Sequence, residues 1–269
     1  MTRPSTPSTA LLTDQYELTM LDAALAGGTA SRHCTFEVFA RSLPHGRRYG
    51  VVAGMPRLLE ALSRFTFEQA EIDVLCDAGV RDEVAEYLSG YRFGGDITAY
   101  REGELYFPGS PVLSVSGTFG ECVLLETLVL SVLNHDCAVA SAAARMTTAA
   151  NGRRLIEMGS RRTHEEAAVA SARAAYLAGF SATSNLEAHR RYGVPTTGTS
   201  AHAFTLLHDS EADAFRAQVA ALGVGTTLLV DTYDITQGIA TAIEVAGIEL
   251  GAVRIDSGDV GVLAQQARA

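Results

Sequence analysis

The chain contains no lysine, since all 21 of its basic residues are arginines. A Walker A phosphate loop requires a lysine, and so does a Schiff base with a carbonyl substrate, so the sequence excludes both chemistries. Any anion must therefore be bound by arginine side chains, backbone amides, hydroxyl groups or metal ions.

Positive charge is also scarce, because 31 acidic residues give the chain a net charge of −10 at neutral pH. Proteins that coat nucleic acid or bind anionic membranes need an excess of basic charge, so we expect no nucleic-acid or membrane partner. No signal peptide opens the chain, and no run approaches the roughly 18 apolar residues of a membrane span. These features predict a cytoplasmic protein.

Cysteine is infrequent, and its spacing excludes a structural zinc site. No two of the four cysteines form a C-x-x-C pair, and their apolar neighbours predict small buried side chains: Cys34, Cys76, Cys122 and Cys137. No H-E-x-x-H or G-x-G-x-x-G motif occurs either, so neither a zinc protease nor a dinucleotide fingerprint is present. We predict no directly bound metal from side-chain spacing alone.

Composition and periodicity predict three regions. Residues 1–10 form a disordered lead-in, and residues 11–135 form an N-terminal α/β domain with short antiparallel strands at about 97–116. Residues 136–269 form the first half of an α/β barrel domain. In the middle of the chain, apolar patterns predict one helix over 121–133 and another over 139–158.

The second half of the chain alternates short strands with helices. Strands are predicted at about 180–183, 194–198, 227–231 and 251–256, with helical segments between them at 184–192, 210–221 and 235–246. Such units predict parallel strands in a barrel or an open sheet. A closed barrel needs about eight strands and only about four are predicted, so we expect a barrel that is incomplete at the C-terminus.

Polar residues follow each of these strands, in the stretches "SATSN", "GTSAH", "VDTYD" and "RIDSGD". The carboxyl edge of a parallel sheet is where active sites lie, so four consecutive strands with polar ends favour a site at this edge. The stretch "TTGTSAHAF" contains His202 just after Gly198 and two hydroxyl side chains. It is either a loop histidine bonded to nearby backbone or a nucleophile beside a ligand.

"RIDSGD" suits an anionic, ribose-containing or magnesium-bound ligand. Arg254 offers a planar fork to an anion, while Asp256 and Asp259 flank Ser257 and Gly258. The alternative is an ordinary strand-end turn.

"VDTYD" repeats the pattern one unit earlier with Asp231, for which the alternative is a helix N-terminus. "GSRRTH" places Arg161 and Arg162 before a helix, where they suit an anion or form a solvated turn. Thr163 and Glu166 have capping-box spacing.

Read in order, "TDQYELTM", "GSRRTHEEAAVASARAAYLAGFSATSN", "GTSAHAF", "LVDTYD" and "VRIDSGD" resemble the nicotinate phosphoribosyltransferases, which are type II phosphoribosyltransferases. The resemblance implies transfer of phosphoribose from 5-phosphoribosyl-1-pyrophosphate to nicotinate, with Mg²⁺ and with ATP as co-substrate, in NAD biosynthesis. It also implies an N-terminal α/β domain, an irregular (β/α) barrel and a homodimer with shared active sites.

The same resemblance assigns roles to residues of this chain. His202 corresponds to a histidine that ATP phosphorylates, and Tyr16, Thr199 and Arg254 correspond to positions that contact nicotinate. Positions that serve phosphoribosyl pyrophosphate and magnesium correspond to Asp231, Asp256, Ser257, Gly258 and Asp259. Arg161 and Arg162 correspond to further anion contacts.

The chain departs from the family pattern after "RIDSGD", where further barrel strands and a glycine-rich phosphate loop are expected. Two alternatives therefore accompany the nicotinate enzyme. One is a fragment that serves as a binding or dimerisation module. The other is a phosphoribosyltransferase that uses nicotinamide or quinolinate as acceptor.

Overall fold

The structure is a computed structural model that describes residues 7–44 and 46–268. The described chain separates into two compact units, one ending at Thr196 and the other beginning at Thr197. The sequence predicted a division between residues 135 and 136, and the structure places the division elsewhere. A single helix runs across residues 135 and 136, so no break in the backbone occurs there.

The first unit is mainly helical. Its helices are α1 (Gln15–Ala26), α2 (Met55–Leu62), α3 (Gln69–Asp77), α4 (Asp82–Ser89), α5 (Phe119–Val123), α6 (Glu126–Ala150), α7 (Glu165–Leu177) and α8 (Leu186–Tyr192). Its strands are β1 (His33–Val38), β2 (Gly50–Val51), β3 (Asp96–Ala99), β4 (Leu105–Tyr106), β5 (Leu113–Thr118), β6 (Ile156–Glu157) and β7 (Ala182–Thr183).

An antiparallel sheet of order β1-β5-β3 supports the helices of this unit. Phe36 pairs with Val115, and both face the large apolar core that helices α1 to α6 complete. Strands β3 to β5 occupy the segment in which alternation indicated short antiparallel strands. Burial of alternate residues on one face explains that pattern.

Helix α6 is 25 residues long and occupies most of the ranges of both predicted helices, 121–133 and 139–158. The predicted end at Met158 is wrong, because Asn151 adopts a left-handed conformation with φ of 48° and closes the helix. Residues 156–157 then form β6 instead of a final helical turn. The alanine-rich run joins the preceding apolar run without a helix breaker, which is why the two predicted helices are one.

By length and composition, α6 is the one helix of the described residues that could cross a membrane, but half of its most apolar window is buried inside the unit. It also carries Asp136, whose side chain is 2% exposed and accepts hydrogen bonds from Arg57 at 2.8 and 3.2 Å. A buried ion pair and a buried apolar surface are what the central helix of a folded core requires.

The part of the predicted lead-in that the structure describes is packed against α2. Thr9 is 5% exposed, and its hydroxyl donates a hydrogen bond to the Ala61 carbonyl at 2.6 Å. Ala10 is fully buried, so residues 7–10 are ordered rather than disordered. Residues 1–6 of that predicted segment lie outside the described residues.

The cysteines differ in exposure, and the expectation that all four are buried is wrong for one of them. Cys122 and Cys137 are buried, Cys34 is half-buried, and Cys76 is exposed. Cys76 lies in α3, whose buried residues are Ile72 and Leu75, so its thiol projects from the solvent side of that helix. Local apolar neighbours did not distinguish these faces.

Parallel pairing begins near the end of the first unit, where β6 pairs with β7 and Thr183 forms a parallel bridge with Thr196. The second unit contains α9 (His202–Leu206), α10 (Glu211–Leu222), β8 (Thr227–Leu229), α11 (Ile235–Ala246), a 3₁₀ turn (Gly247–Glu249), β9 (Ala252–Arg254) and α12 (Val260–Gln266). Strands β8 and β9 are parallel, and α10 and α11 pack with them around Phe215, Leu228 and Ala242.

The class is α/β, as the strand–helix alternation predicts. The strands are shorter than predicted, since β7 begins only at Ala182, β8 ends at Leu229 and β9 ends at Arg254. The strand predicted at 194–198 is reduced to the single bridge of Thr196. The capping-box prediction at Thr163 is wrong: His164 is the N-cap of α7, and its side chain makes no capping hydrogen bond.

Candidate functional site

The second unit brings six of the predicted site residues together at the ends of β8 and β9. His202 is the first residue of α9, a short helix that the sequence did not predict. Its Nδ1 lies 3.1 Å from the Thr232 hydroxyl, and its side chain is 40% exposed. The imidazole is therefore held at one nitrogen and open at the other.

Asp231 follows β8 and is the buried acidic group of this cluster, with a side chain that is 1% exposed. Its Oδ2 accepts hydrogen bonds from the Asp256 backbone N–H at 2.8 Å and from the Ser257 hydroxyl at 2.7 Å. Burial alone would raise the pKa of Asp231, but these hydrogen bonds hold it below its ordinary value. The carboxylate thus stays ionised at neutral pH.

The other oxygen of Asp231, Oδ1, is buried and has no hydrogen-bond partner among the described residues. It lies 4.0 Å from His202 Nε2. A buried carboxylate oxygen without a partner carries a desolvation cost, and such groups commonly mark the position of a ligand. Asp231 therefore presents an unused acceptor toward the imidazole.

Arg254, at the end of β9, completes the cluster. One guanidinium nitrogen donates to the Thr199 hydroxyl at 2.8 Å and to the Ser200 carbonyl at 3.3 Å. The other donates to Asp256 Oδ1 at 2.7 Å, and Asp256 Oδ2 lies 4.0 Å from His202 Nε2. Nε2 of His202 thus lies 4.0 Å from the carboxylates of Asp231 and Asp256, and Arg254 donates a hydrogen bond to the second of these.

Two predicted site residues of "RIDSGD", Gly258 and Asp259, shape the turn and the helix start that follow β9. Gly258 adopts φ of +76°, which permits the turn between β9 and α12. Asp259 is the N-cap of α12, since its Oδ1 accepts hydrogen bonds from the backbone N–H groups of Gly261 and Val262 at 3.1 and 3.2 Å. The strand-end turn that was the alternative for "RIDSGD" is therefore the local geometry at this end of the motif.

Tyr16 belongs to the first unit and is the second residue of α1. It is 44% exposed, and desolvation of the phenol, followed by a hydrogen bond with Glu126, raises the pKa of Tyr16 to about 12. The phenol thus stays neutral near physiological pH. Its ring remains partly open to a ligand.

Arg161 and Arg162 lie in the loop between β6 and α7, also in the first unit. Both are exposed, and neither guanidinium forms a hydrogen bond or ion pair within residues 7–44 and 46–268. The Arg162 backbone N–H donates to the Gly159 carbonyl at 2.8 Å, which closes a turn. The two cations are available to an anion.

Sequence reasoning missed three residues of these sites: Thr232, Glu157 and Thr183. Thr232 lies within "VDTYD", so its hydroxyl between two carboxylates was a visible signal. Thr183 ends β7 within the strand-end stretch "SATSN", and Glu157 precedes "GSRRTH". The Thr183 hydroxyl donates a hydrogen bond to Glu157 across the parallel strands β6 and β7. Nothing in one sequence indicates that contact.

Residues 11–134 match the family model of the nicotinate phosphoribosyltransferase N-terminal domain. A nicotinate phosphoribosyltransferase of Mycobacterium tuberculosis is 67% identical over 266 residues, which cover 96% of this chain and 59% of the relative. The chain therefore spans about three-fifths of the length of that relative. The resemblance of the ordered motifs is confirmed by these matches.

Two solved structures share the fold. The human nicotinic acid phosphoribosyltransferase has a TM-score of 0.83 and 28% identity, covering 95% of this chain and 63% of its own. A nicotinate-nucleotide pyrophosphorylase from Pyrococcus furiosus has a TM-score of 0.80 and 23% identity, covering all of this chain and 65% of its own. The second likeness concerns the fold alone.

Proposed function

The chain belongs to the nicotinate phosphoribosyltransferase family, and from that premise we propose that it transfers phosphoribose from 5-phosphoribosyl-1-pyrophosphate to nicotinate, in a reaction coupled to ATP. The products are nicotinate mononucleotide and pyrophosphate. The observation that carries the proposal is the cluster of His202, Asp231, Arg254 and Asp256, in which a buried carboxylate oxygen lacks a partner.

In the second unit, Arg254 is the proposed contact for the carboxylate of nicotinate. Arg254 is oriented by its hydrogen bonds to Thr199 and Ser200, and it already donates to one carboxylate, that of Asp256. A fork of this kind suits the carboxylate of nicotinate. Within the first unit, Tyr16 offers an exposed aromatic face of the kind that stacks on a pyridine ring. Arg161 and Arg162 of the first unit are assigned to anionic groups of the substrates, phosphate or carboxylate.

Departure of pyrophosphate leaves positive charge on the ribose, and the carboxylates of Asp231 and Asp256 stabilise that charge. Mg²⁺ fits the same oxygens, since this ion takes one or two carboxylates together with substrate phosphates. When bound, it neutralises charge on the leaving pyrophosphate. Ser257 and the Asp256 backbone N–H orient Asp231 for this purpose.

His202 is the group that ATP phosphorylates. If Nδ1 carries the proton and donates to Thr232, Nε2 keeps its lone pair. Nε2 then attacks the terminal phosphorus of ATP, so that an N–P bond forms and ADP leaves. The phosphoryl group would lie beside Asp231 and Asp256, and its repulsion of these carboxylates changes which ligands the site favours.

The test is product formation by this chain with phosphoribosyl pyrophosphate, Mg²⁺ and one acceptor at a time, with and without ATP. We expect nicotinate to be used in preference to nicotinamide and quinolinate, and we expect ATP to stimulate the reaction. His202→Ala removes both the stimulation and the acid-labile phosphate on the protein. Equal use of nicotinamide or quinolinate contradicts the assignment of nicotinate.

The same preparation tests the non-enzymatic alternative. A chain that forms dimers and binds nicotinate, but gives neither product nor phosphohistidine, is a binding or dimerisation module. We expect a homodimer in either case, with residues of both subunits in each site, and a cytoplasmic location. Light scattering at several concentrations measures the oligomeric state.

A further inference from the structure

The residues that precede Arg161 are anchored by side chains from two neighbouring strands. Glu157 and Thr183 are direct register partners in the parallel pair β6–β7. The Thr183 hydroxyl donates a hydrogen bond to Glu157 Oε2 at 2.6 Å, and Thr183 is fully buried. The link therefore lies at the carboxyl edge of these strands and is protected from water.

The same carboxylate also contacts the loop of residues 159–162, which contains Arg161 and Arg162 and is called the arginine loop below. The other oxygen of Glu157, Oε1, accepts a hydrogen bond from the Gly159 backbone N–H. A Cβ atom at Gly159 would lie 2.6 Å from that oxygen, so a side chain at this position would displace the Glu157 carboxylate. One end of the loop is thus tied directly to β6.

A second tie runs through the next residues of "SATSN". The Asn185 backbone N–H donates to the Thr183 hydroxyl at 3.0 Å, and the Asn185 side-chain amide donates to the Ser160 hydroxyl at 3.1 Å. The side-chain oxygen of Asn185, Oδ1, accepts a hydrogen bond from the Ala188 N–H at 2.9 Å and so also caps α8. Asn185 therefore fixes Ser160 relative to a helix that is itself fixed.

From these contacts we infer that Glu157, Thr183 and Asn185 position the arginine loop of residues 159–162 and hold its two cations ready for an anionic substrate. The three residues are called the loop anchor below. They act through Gly159 and Ser160 and do not themselves contact the substrate. This assignment rests on the proposed function, because it takes Arg161 and Arg162 as anion-binding groups.

The energetic reason lies in the entropy of the loop. An exposed loop with two long side chains loses backbone and rotamer freedom when it binds a ligand, and that loss weakens binding. A loop that is already fixed at two successive residues has less freedom to lose. The loop anchor therefore raises affinity for the anion without making any new contact with it.

The first experiment is independent of catalysis and uses trypsin, which cleaves after arginine. In the native chain we expect slow cleavage after Arg161 and Arg162. Thr183→Val and Glu157→Gln should each accelerate cleavage at these two positions at least about tenfold, since loss of local order exposes backbone to the protease. Thr183→Ser keeps the hydroxyl and should restore slow cleavage.

Two comparisons separate loop order from general opening. Cleavage after Arg153 and Arg154, in the neighbouring turn, should change less than about twofold. Glu166→Gln removes a carboxylate of α7 that pairs with Arg191, and it should leave the arginine loop unaffected. Faster cleavage at every site, or equal effects of Thr183→Val and Thr183→Ser, would overturn the inference.

The second experiment concerns the anion and uses inorganic pyrophosphate and nicotinate as probes. We expect either probe to slow cleavage of the native loop. The probe concentration that gives the same protection should be about tenfold higher in Thr183→Val. In the full reaction the same variant should raise KM for the anionic substrate with little change in kcat. A loosened loop with unchanged probe affinity would overturn the positioning role.

Failure of the proposed function has a different signature. If neither probe protects the native loop and no product forms, Arg161 and Arg162 do not serve an anion, and the proposed function is overturned. The effect of Thr183→Val on cleavage would still decide whether the loop anchor orders this segment. The two hypotheses can therefore fail separately.

Discussion

The buried carboxylate of Glu17 accepts two hydrogen bonds from Thr127, one from the backbone N–H at 2.8 Å and one from the hydroxyl at 2.5 Å. Thr127 lies in the first turn of α6, whose N-cap, Leu125, offers no capping side chain. A glutamate of α1 therefore caps the longest helix of the first unit across 110 residues of sequence. Thr13 donates to the same carboxylate, so the start of α1 is fixed to the start of α6.

This contact makes stability depend on pH. Burial raises the pKa of Glu17 from 4.5 to about 7, although the hydrogen bonds from Thr127 oppose that rise. The folded state thus binds the proton more tightly than the unfolded state. The stabilisation is complete below about pH 4.5 and is lost as the pH rises through 7, by on the order of 3 kcal/mol.

We expect Glu17→Gln to remove this dependence, so that the variant exceeds the parent in stability at pH 8.5. Urea denaturation at several pH values measures the free energy of unfolding. Glu86→Gln, a change of an exposed glutamate, serves as the control and should follow the parent. If Glu17→Gln follows the parent too, the buried carboxylate is not protonated near neutral pH.

The ion pair of Glu102 with Arg173 should contribute strongly to stability. Two parallel hydrogen bonds of 2.8 and 2.7 Å join the side chains, which are 14% and 18% exposed. Glu102 also accepts from the Gly54 N–H at 2.6 Å, so it links α2 to α7. Glu102→Ala leaves an arginine without its partner, and we expect a loss of about 3 kcal/mol.

Urea denaturation measures that loss, and Glu102→Ala combined with Arg173→Met completes a double-mutant cycle. The double variant should recover part of the loss, because no unpaired charge remains. Glu187→Ala breaks the exposed pairs with Arg190 and Arg191 and should have a much smaller effect. Equal losses from the buried and exposed pairs would contradict the prediction.

Thr232 should control the reactivity of His202. Its hydroxyl is the partner of Nδ1, and a fixed proton at Nδ1 leaves Nε2 as the nucleophile. Thr232→Val should slow the incorporation of phosphate from ATP about tenfold, an effect of the size typical for the loss of one orienting hydrogen bond. Thr232→Ser should retain the native rate. The measurement is acid-labile phosphate on the protein as a function of time.

Arg254 should contribute more to the affinity for nicotinate than to the affinity for ATP. Arg254→Ala removes a charged hydrogen bond of about 1.5–3 kcal/mol, so nicotinate affinity should fall about 10- to 100-fold. Arg254→Lys should recover little, because an ammonium group lacks the planar fork. Calorimetry with nicotinate and with ATP separates the effects. Equal losses of both affinities would indicate misfolding instead.

Much of the second unit could be predicted from the sequence. The predicted helices at 210–221 and 235–246 lie within about one residue of α10 and α11, because each has a capping residue, Ser210 or Asp234, before its apolar pattern. The grouping of His202, Asp231 and Arg254 also follows from their common place at strand ends. That edge rule needs no knowledge of side-chain contacts.

Other features depend on contacts that sequence patterns do not contain. Glu17 is an acidic residue in a helix of mixed polarity, and only its burial against Thr127 makes it a cap. Glu157 and Thr183 meet because two strands pair in a particular register. The length of α6 was missed because an alanine-rich run and an apolar run were read as two elements.

Helix α6 also limits how the chain can be divided. The family model ends at residue 134, two positions before Asp136, the buried partner of Arg57. Residues 11–134 expressed alone would keep that arginine, lose its carboxylate and stop α6 in its third turn. The region that the family model matches therefore ends inside a helix whose later residues complete the core of the first unit. Chimeras joined at this boundary should need the rest of the same helix from the same parent.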